Sequence, residues 1–268
     1  MKVLKIGLKI WSTNQNYLSS IKALKGEGMI DYIELFVAPD STEDHIRIWE
    51  DLNVPFLLHA PHSYAGLNFS DEECEQKNRL LIDKVKLFML SLRAKKIIFH
   101  PGINGTVEET IRQINMFNNE FPDVFDKTVI ENKPKIGLGN EECIGASSEE
   151  LSRIMKATGC GFCFDIGHAI CYASWARQPW EAVIGQFLKL KPEVFHLSDG
   201  DMDVVTDDHR HFGEGNYDLH RILSKVPDDS YLSIETHKDS KENLDDFVRD
   251  VNYLRNCLKE KNEGSRNA

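Results

Sequence analysis

Apolar stretches of this chain run directly into histidine and carboxylate. LLHAPH leads to His59 and His62, IIFHPG to His100, VIEN to Glu131, FCFDIGH to Asp165 and His168, VFHLSD to His196 and Asp199, and SIETH to Glu235 and His237. Asp, Glu and His are rarely buried without a partner, so a polar residue that closes an apolar run marks a place where something compensates it. A single histidine there is usually satisfied by an ordinary hydrogen bond. Five consecutive runs that all end this way have no packing explanation, and they bring too few Lys or Arg to neutralise their acids. Neutral imidazole and carboxylate together suit divalent cations, zinc first and manganese second, and the absence of thiolate from the set argues against a purely soft site. The residue types therefore predict a metal centre.

Gathering residues so far apart in sequence requires a fold that brings strand ends together. Runs rich in Val, Ile and Phe at residues 4–10, 32–37, 55–59, 96–100, 128–131, 161–165, 194–197 and 231–235 read as buried strands. Helical spacing marks 71–92, 107–117, 148–156, 180–190 and 244–258. Eight strands alternating with about eight helices predict one α/β domain, a parallel eight-stranded (β/α)8 TIM barrel over residues 1–258, followed by a polar tail at 259–268. In such a barrel the C-terminal strand ends surround a single mouth, which is where the polar residues fall. His45 and His220 lie in expected helices and read as structural. The connection 198–216 is long and carries Asp, His and Gly, which predicts a functional loop.

Composition narrows the classes. The 268 residues carry 32 Lys+Arg against 43 Asp+Glu, a net charge of −11, which removes any general attraction for nucleic acid. At 41% hydrophobic and 28% charged, the chain is neither disordered nor fibrous. No apolar run approaches the roughly 20 residues of a membrane span, and Lys2, Lys5 and Lys9 interrupt the N-terminal stretch, so a cytoplasmic protein without membrane association is expected. Six cysteines do not make a disulfide framework, and Cys160 and Cys163, although spaced C-x-x-C, read as small apolar groups at a strand start.

The strings PHSY, FHPG, VIEN, FDIGHA, HLSDG, DDHRHFGEGN and IET, in that order, resemble the xylose isomerase-like barrels. Within them they are most similar to endonuclease IV, the metal-dependent enzyme that incises DNA at abasic sites. The resemblance implies two to three divalent ions. His62, His100 and Glu131 would hold one, and Glu131 would bridge to a second held also by Asp165, His196 and Glu235. His168, Asp207 and His209 would hold a third. It further implies catalytic roles for Glu131 and Glu235 in positioning and deprotonating water. His59, His211 and His237 are then expected as partners that orient ligands.

The set Glu131, Asp165, His196 and Glu235 is similar to the single metal site of the sugar isomerase and epimerase relatives, whereas Asp207 and His209 look like the trinuclear arrangement. Lys9 stands where the endonuclease carries a histidine, and Glu34 resembles the isomerase branch. ELFVAPDSTEDH replaces a basic, aromatic DNA-reading loop, and PHSY, with Tyr64, is one residue shorter than its counterpart. Lys133 and Lys135, after the fifth strand, read as surface lysines, with contact to a phosphate as the alternative. The expected activity is hydrolysis of a phosphodiester, at abasic-site DNA or in a small molecule, with weak affinity for intact duplex; a sugar isomerase or epimerase is the alternative.

Overall fold

A computed structural model describes residues 3–264. Its strands are β1 (Lys5–Trp11), β2 (Tyr32–Phe36), β3 (Phe56–His59), β4 (Ile97–Phe99), β5 (Thr128–Glu131), β6 (Gly161–Asp165), β7 (Val194–Leu197) and β8 (Tyr231–Ile234). Every neighbouring pair is parallel, and β8 pairs back onto β1 with Leu232 opposite Ile6, so the sheet closes as a barrel without an edge. The strands coincide with the expected runs to within about two residues, the usual uncertainty of an element end.

The helices are α1 (Leu18–Gly26), α2 (Glu43–Glu50), α3 (Glu75–Leu92), α4 (Val107–Glu120), α5 (Pro122–Phe125), α6 (Ser148–Thr158), α7 (Ile166–Ala176), α8 (Trp180–Leu188), α9 (Leu219–Lys225) and α10 (Asp245–Gly264). They pack outside the barrel over a core that includes Leu8, Trp49, Ile82, Phe99, Phe117, Phe164, Phe187 and Phe247. Ser and Thr start several of them: the Thr106 hydroxyl accepts from Glu109 N–H at 3.1 Å and the Ser147 hydroxyl from Glu150 N–H at 3.2 Å. The expected tail begins as helix, since α10 continues to Gly264; residues 265–268 lie outside the described residues. Among the described residues no helix is long and apolar enough to cross a membrane.

Side-chain alternation along each strand builds the site. Tyr32, Leu57, Ile98, Val129, Cys163 and Val194 form an apolar plug inside the barrel. Two residues further along the same strands, and so on the same face, stand Glu34, His59, His100, Glu131, Asp165 and His196. β1 and β8 complete the pattern with Lys9 above Gly7 and Glu235 above Ser233. Gly7 must be glycine because a Cβ there would lie 2.2 Å from the Tyr32 ring, which crosses the barrel floor to reach the Ser233 hydroxyl at 2.9 Å.

Candidate metal centre

Glu131, 1% exposed at the end of β5, is the hub. Its Oε2 lies 3.1 Å from Nε2 of both His59 and His100 and 3.5 Å from Nδ1 of His196, while its Oε1 lies 3.2 Å from Nδ1 of His168. Glu235 comes to the same place from β8: Oε1 is 2.6 Å from His196 Nδ1 and contacts the Lys9 ammonium, and Oε2 is 3.9 Å from His209 Nδ1. Asp165 caps α7 by accepting the His168 N–H at 2.7 Å through Oδ1, which leaves Oδ2 at 4.0 Å from His196 Nδ1. The cap sets His168 one turn into α7, where its Nε2 faces Asp207 Oδ2 at 3.4 Å; His209 Nε2 meets that same oxygen at 3.1 Å. His62, from the β3–α3 connection, stacks on His100 with ring centroids 5.9 Å apart.

Cation binding calls for neutral imidazole and ionised carboxylate. His62, His100, Glu131 and Glu235 meet that requirement, whereas Asp165 at His168, and Cys163 and Glu235 at His196, override burial and raise the two imidazoles, which would release a proton on taking up an ion. Burial, aided by His59, Lys133 and Lys9, pushes His62 down to about 3. Burial and then Lys133 hold His100 well below the ordinary histidine range. For Glu131 and Glu235 burial opposes ionisation, but His100 and His196 overcome it at Glu131, and His196 and Lys9 at Glu235, so both sit well below the usual carboxylate range. Among the carboxylates Asp165 goes the other way: burial outweighs His168, and Asp207, Glu235 and Glu131 add to it, raising the carboxyl to about 6. That crowding of negative charge is the situation a divalent cation relieves.

Among the described residues, five buried side-chain atoms lack a hydrogen-bond partner: Glu34 Oε1, His62 Nδ1, His196 Nδ1, Asp207 Oδ2 and His209 Nδ1. The last four belong to the donor set expected from sequence. His196 Nδ1, Asp207 Oδ2 and His209 Nδ1 have acidic or imidazole neighbours within 4 Å but no aligned hydrogen bond, and the gathering of such atoms around one cavity of about 700 Å³ fits residues that hold cations. Donor atoms within 4.8 Å of one another fall into compact groups, including His59–His100–Glu131, Glu131–Asp165–His168, Glu34–His196–Glu235 and His168–Asp207–His209. Nitrogen and oxygen donors of this kind suit zinc or manganese.

The three histidines expected as orienting partners separate. His59 reaches Glu131 directly. His211 turns away from the cavity and bridges Asp250 at 2.8 Å and Asp239 at 3.1 Å, fastening the connection 198–216 to α10. His237 is exposed on the rim, its ring 6.1 Å from that of His209. Asp199, although it closes an apolar strand, spends its carboxylate on the N–H groups of Gly200, Gly213, Gly215 and Tyr217 and shapes that connection.

Some residues do more than their sequence reading gave them. Lys133 is not a surface lysine: it lines the cavity 3.4 Å from His168 Nε2 and 4.0 Å from Glu131 Oε1. Lys135 instead pairs with Glu142 at 2.6 Å over the Trp175 ring. Asn132 ties β5 to β6, exchanging two 2.8 Å hydrogen bonds with the Asp165 backbone. The Cys163 thiol lies 3.3 Å from His196 Nε2, directly beneath the site. The signal for Lys9 and Glu34 was available as a polar residue two positions beyond Gly7 and Tyr32.

The rim is mixed. The β2–α2 connection, 37–42, carries exposed Asp40 and no cation. Lys133, Lys238 and Lys241 line the mouth from other connections, together with Trp11 (54% exposed), Tyr64 (62%) and Leu138 (71%). Tyr64 is fixed there by Gly139 N–H at 2.9 Å and by its own bond to Glu141.

A closed parallel barrel with its donors at the C-terminal strand ends defines the class, and comparison with known families agrees. The chain belongs to the xylose isomerase-like TIM barrel family, whose model matches residues 23–257. It is 24% identical over 246 residues to an uncharacterised protein of Methanocaldococcus jannaschii, covering 85% of this chain and 78% of that one. Among solved structures it is similar to a D-tagatose 3-epimerase-like protein, with a TM-score of 0.75, 22% identity, and 97% and 99% of the two chains covered. It is also similar to endonuclease IV of Thermus thermophilus, with a TM-score of 0.70, 18% identity, and coverage of 96% and 99%. Likeness at these identities establishes the shared fold and does not choose between the two chemistries.

Proposed function

We propose that this chain is a metal-dependent phosphoesterase that hydrolyses a phosphodiester, at an abasic site in DNA or in a small molecule. The observation that carries the reading is the third donor group, His168, Asp207 and His209, standing beside the groups centred on Glu131 and Glu235. A sugar isomerase needs one ion and has no use for three further donors. Divalent ions held by the nine residues His62, His100, Glu131, Asp165, His168, His196, Asp207, His209 and Glu235 would supply ionised water at neutral pH and offset charge on the phosphoryl oxygens. Glu131 and Glu235, both held ionised by their neighbours, would position the attacking water and take up its proton. Lys133 offers an ammonium to a phosphoryl oxygen inside the cavity. A cavity of about 700 Å³ lies in the usual range for small-molecule sites, which favours a small phosphodiester over long duplex.

One observation favours a second reading. Glu131 and Glu235 both face His196 Nδ1, at 3.5 and 2.6 Å, an arrangement suited to an acid/base pair around a single ion in a sugar isomerase or epimerase. The deciding experiment gives one zinc- or manganese-loaded sample an abasic-site oligonucleotide, a chromogenic phosphodiester, and a panel of keto and aldo sugars. Diester cleavage is expected, abolished by Asp165→Ala or Glu235→Ala and reduced about 100-fold or more by Asp207→Ala/His209→Ala. Sugar turnover that survives the double substitution, without diester cleavage by the parent, would overturn the phosphoesterase in favour of the isomerase.

A further inference from the structure

Within the ring of strand-end residues Lys9 is a cation, and the phosphoesterase reading leaves it without a task. Its side chain is 19% exposed and lies between two acids, 3.5 Å from Glu34 Oε1 and in close contact with Glu235 Oε1. The same Glu235 oxygen is 2.6 Å from His196 Nδ1, the nitrogen that also faces Glu131 and Asp165. An ion held by those four residues would share Glu235 Oε1 with an ammonium, and like charges a few ångströms apart repel strongly in a buried setting.

Charge balance points the same way. The carboxylates of Glu34, Glu131, Asp165, Asp207 and Glu235 are buried, and Lys9 and Lys133 offset two of these five charges. Two divalent ions more than balance the remaining three. Glu34 supplies the alternative seat for the ammonium: its Oε2 is anchored by His196 Nε2 at 2.9 Å and by Ser233, whereas its Oε1 has no hydrogen-bond partner.

We propose that Lys9 is a tethered counter-cation that weakens ion binding at the position formed by Glu131, Asp165, His196 and Glu235. The chain then holds two divalent ions tightly and a third weakly. This inference rests on the metal-dependent reading of the site, and its test does not use activity. Zinc bound per chain is measured by equilibrium dialysis against zinc-buffered solution for the parent, Lys9→Gln, Lys9→Arg, Glu34→Gln and Glu34→Gln/Lys9→Met. The expected result is two tight ions in the parent and in Lys9→Arg, which keeps the charge, and a third site at least tenfold tighter in Lys9→Gln. Glu34→Gln removes the alternative seat together with an acid of the Glu34–His196–Glu235 group, so it is read against Glu34→Gln/Lys9→Met: a third ion at least tenfold tighter in the double variant supports the role of Lys9 should Lys9→Gln not fold, and equal binding overturns it. Zinc should also raise the Tm of Lys9→Gln more than that of the parent. Three equally tight ions in the parent, or a Lys9→Gln protein that binds like the parent, would overturn the role of Lys9 while leaving the metal centre intact. Absence of zinc binding in every protein would overturn the metal reading itself, and this inference with it.

Discussion

His59 and His100 approach the same oxygen of Glu131, each at 3.1 Å, and two imidazole nitrogens on one carboxylate oxygen need protons or a cation between them. His59 Nδ1 lies 2.8 Å from the Ala60 carbonyl, which only accepts, so Nδ1 carries a proton and Nε2 is the nitrogen that faces Glu131. Burial and then Lys133 hold His100 well below the ordinary histidine range, and it steadies the Glu131 carboxylate through their 3.1 Å contact. We therefore propose His59 as a further donor beside the nine residues expected from sequence. The same device works at His196, where Glu34 and Cys163 hold Nε2 and leave Nδ1 for the cavity. We predict that His59→Gln lowers zinc affinity by about 10–100-fold, read by competition with a chromophoric chelator. An unchanged affinity in a merely less stable protein would return His59 to the structural histidines.

At the scale of elements, the connection 198–216 carries Asp207 and His209, and its shape is held by interactions outside the cavity. The Asp199 carboxylate gathers four backbone N–H groups, and Gly215 is required because a Cβ there would lie 2.1 Å from the Gly200 carbonyl. His211 bolts the segment to α10 through Asp250, which also accepts the Phe212 N–H at 3.0 Å. Burial works against the charge on His211, but Asp250 and Asp239 win and raise its pKa above the ordinary value. A raised folded-state pKa stabilises fully below the unfolded value near 6.5, and the contribution disappears as pH climbs through the folded value. His211→Gln should therefore destabilise more at about pH 6 than at about pH 9, measured by urea unfolding with a chelator present. An equal loss at both pH values would mean that packing, not charge, accounts for the residue.

The same scale explains what the sequence disclosed and what it hid. Strands β2 to β7 were legible because each pairs an apolar inward residue with a polar one two positions later, as in Ile98 and His100 or Val129 and Glu131. α7 was not legible: Ile166 to Cys171 and Ala173 are all buried, so no polar face breaks the run into a helical period. The polar closures of the apolar runs were legible as residue types, whereas the nine-residue donor set, with Asp207 and His209, came from the family resemblance. The contacts among the donors were not legible, because which carboxylate oxygen meets which nitrogen depends on strand register and on the Asp165 cap. Lys133 was hidden for another reason, since a lysine in a connection looks alike whether it faces solvent or a cavity.

For the whole molecule the deciding balance is between a cavity rich in cation-binding groups and a surface that repels polyanions. With a net charge of −11, the protein gains nothing from long-range attraction to DNA. The β2–α2 connection carries Asp40 and no cation, so at the mouth at most Lys133, Lys238 and Lys241 remain for phosphate contacts, Lys238 already donating to the Thr236 carbonyl at 2.6 Å. Each neutralised phosphate contributes about −0.9 to the slope of log affinity against log salt, so three lysines cap that slope near about −3. A fourfold rise in salt should then cost duplex binding roughly 40-fold, by fluorescence anisotropy on a labelled abasic-site duplex, from an affinity that is micromolar or weaker at the outset. Hydrolysis of a small phosphodiester should respond far less, because its single charge is met inside the cavity, where screening by salt is weak. Nanomolar binding of duplex at physiological salt, or a slope of about −6 or steeper, would demand roughly twice as many phosphate contacts as the mouth provides. That outcome would move the substrate from a small phosphodiester to DNA and place the missing contacts on a face of the barrel away from Lys133, Lys238 and Lys241.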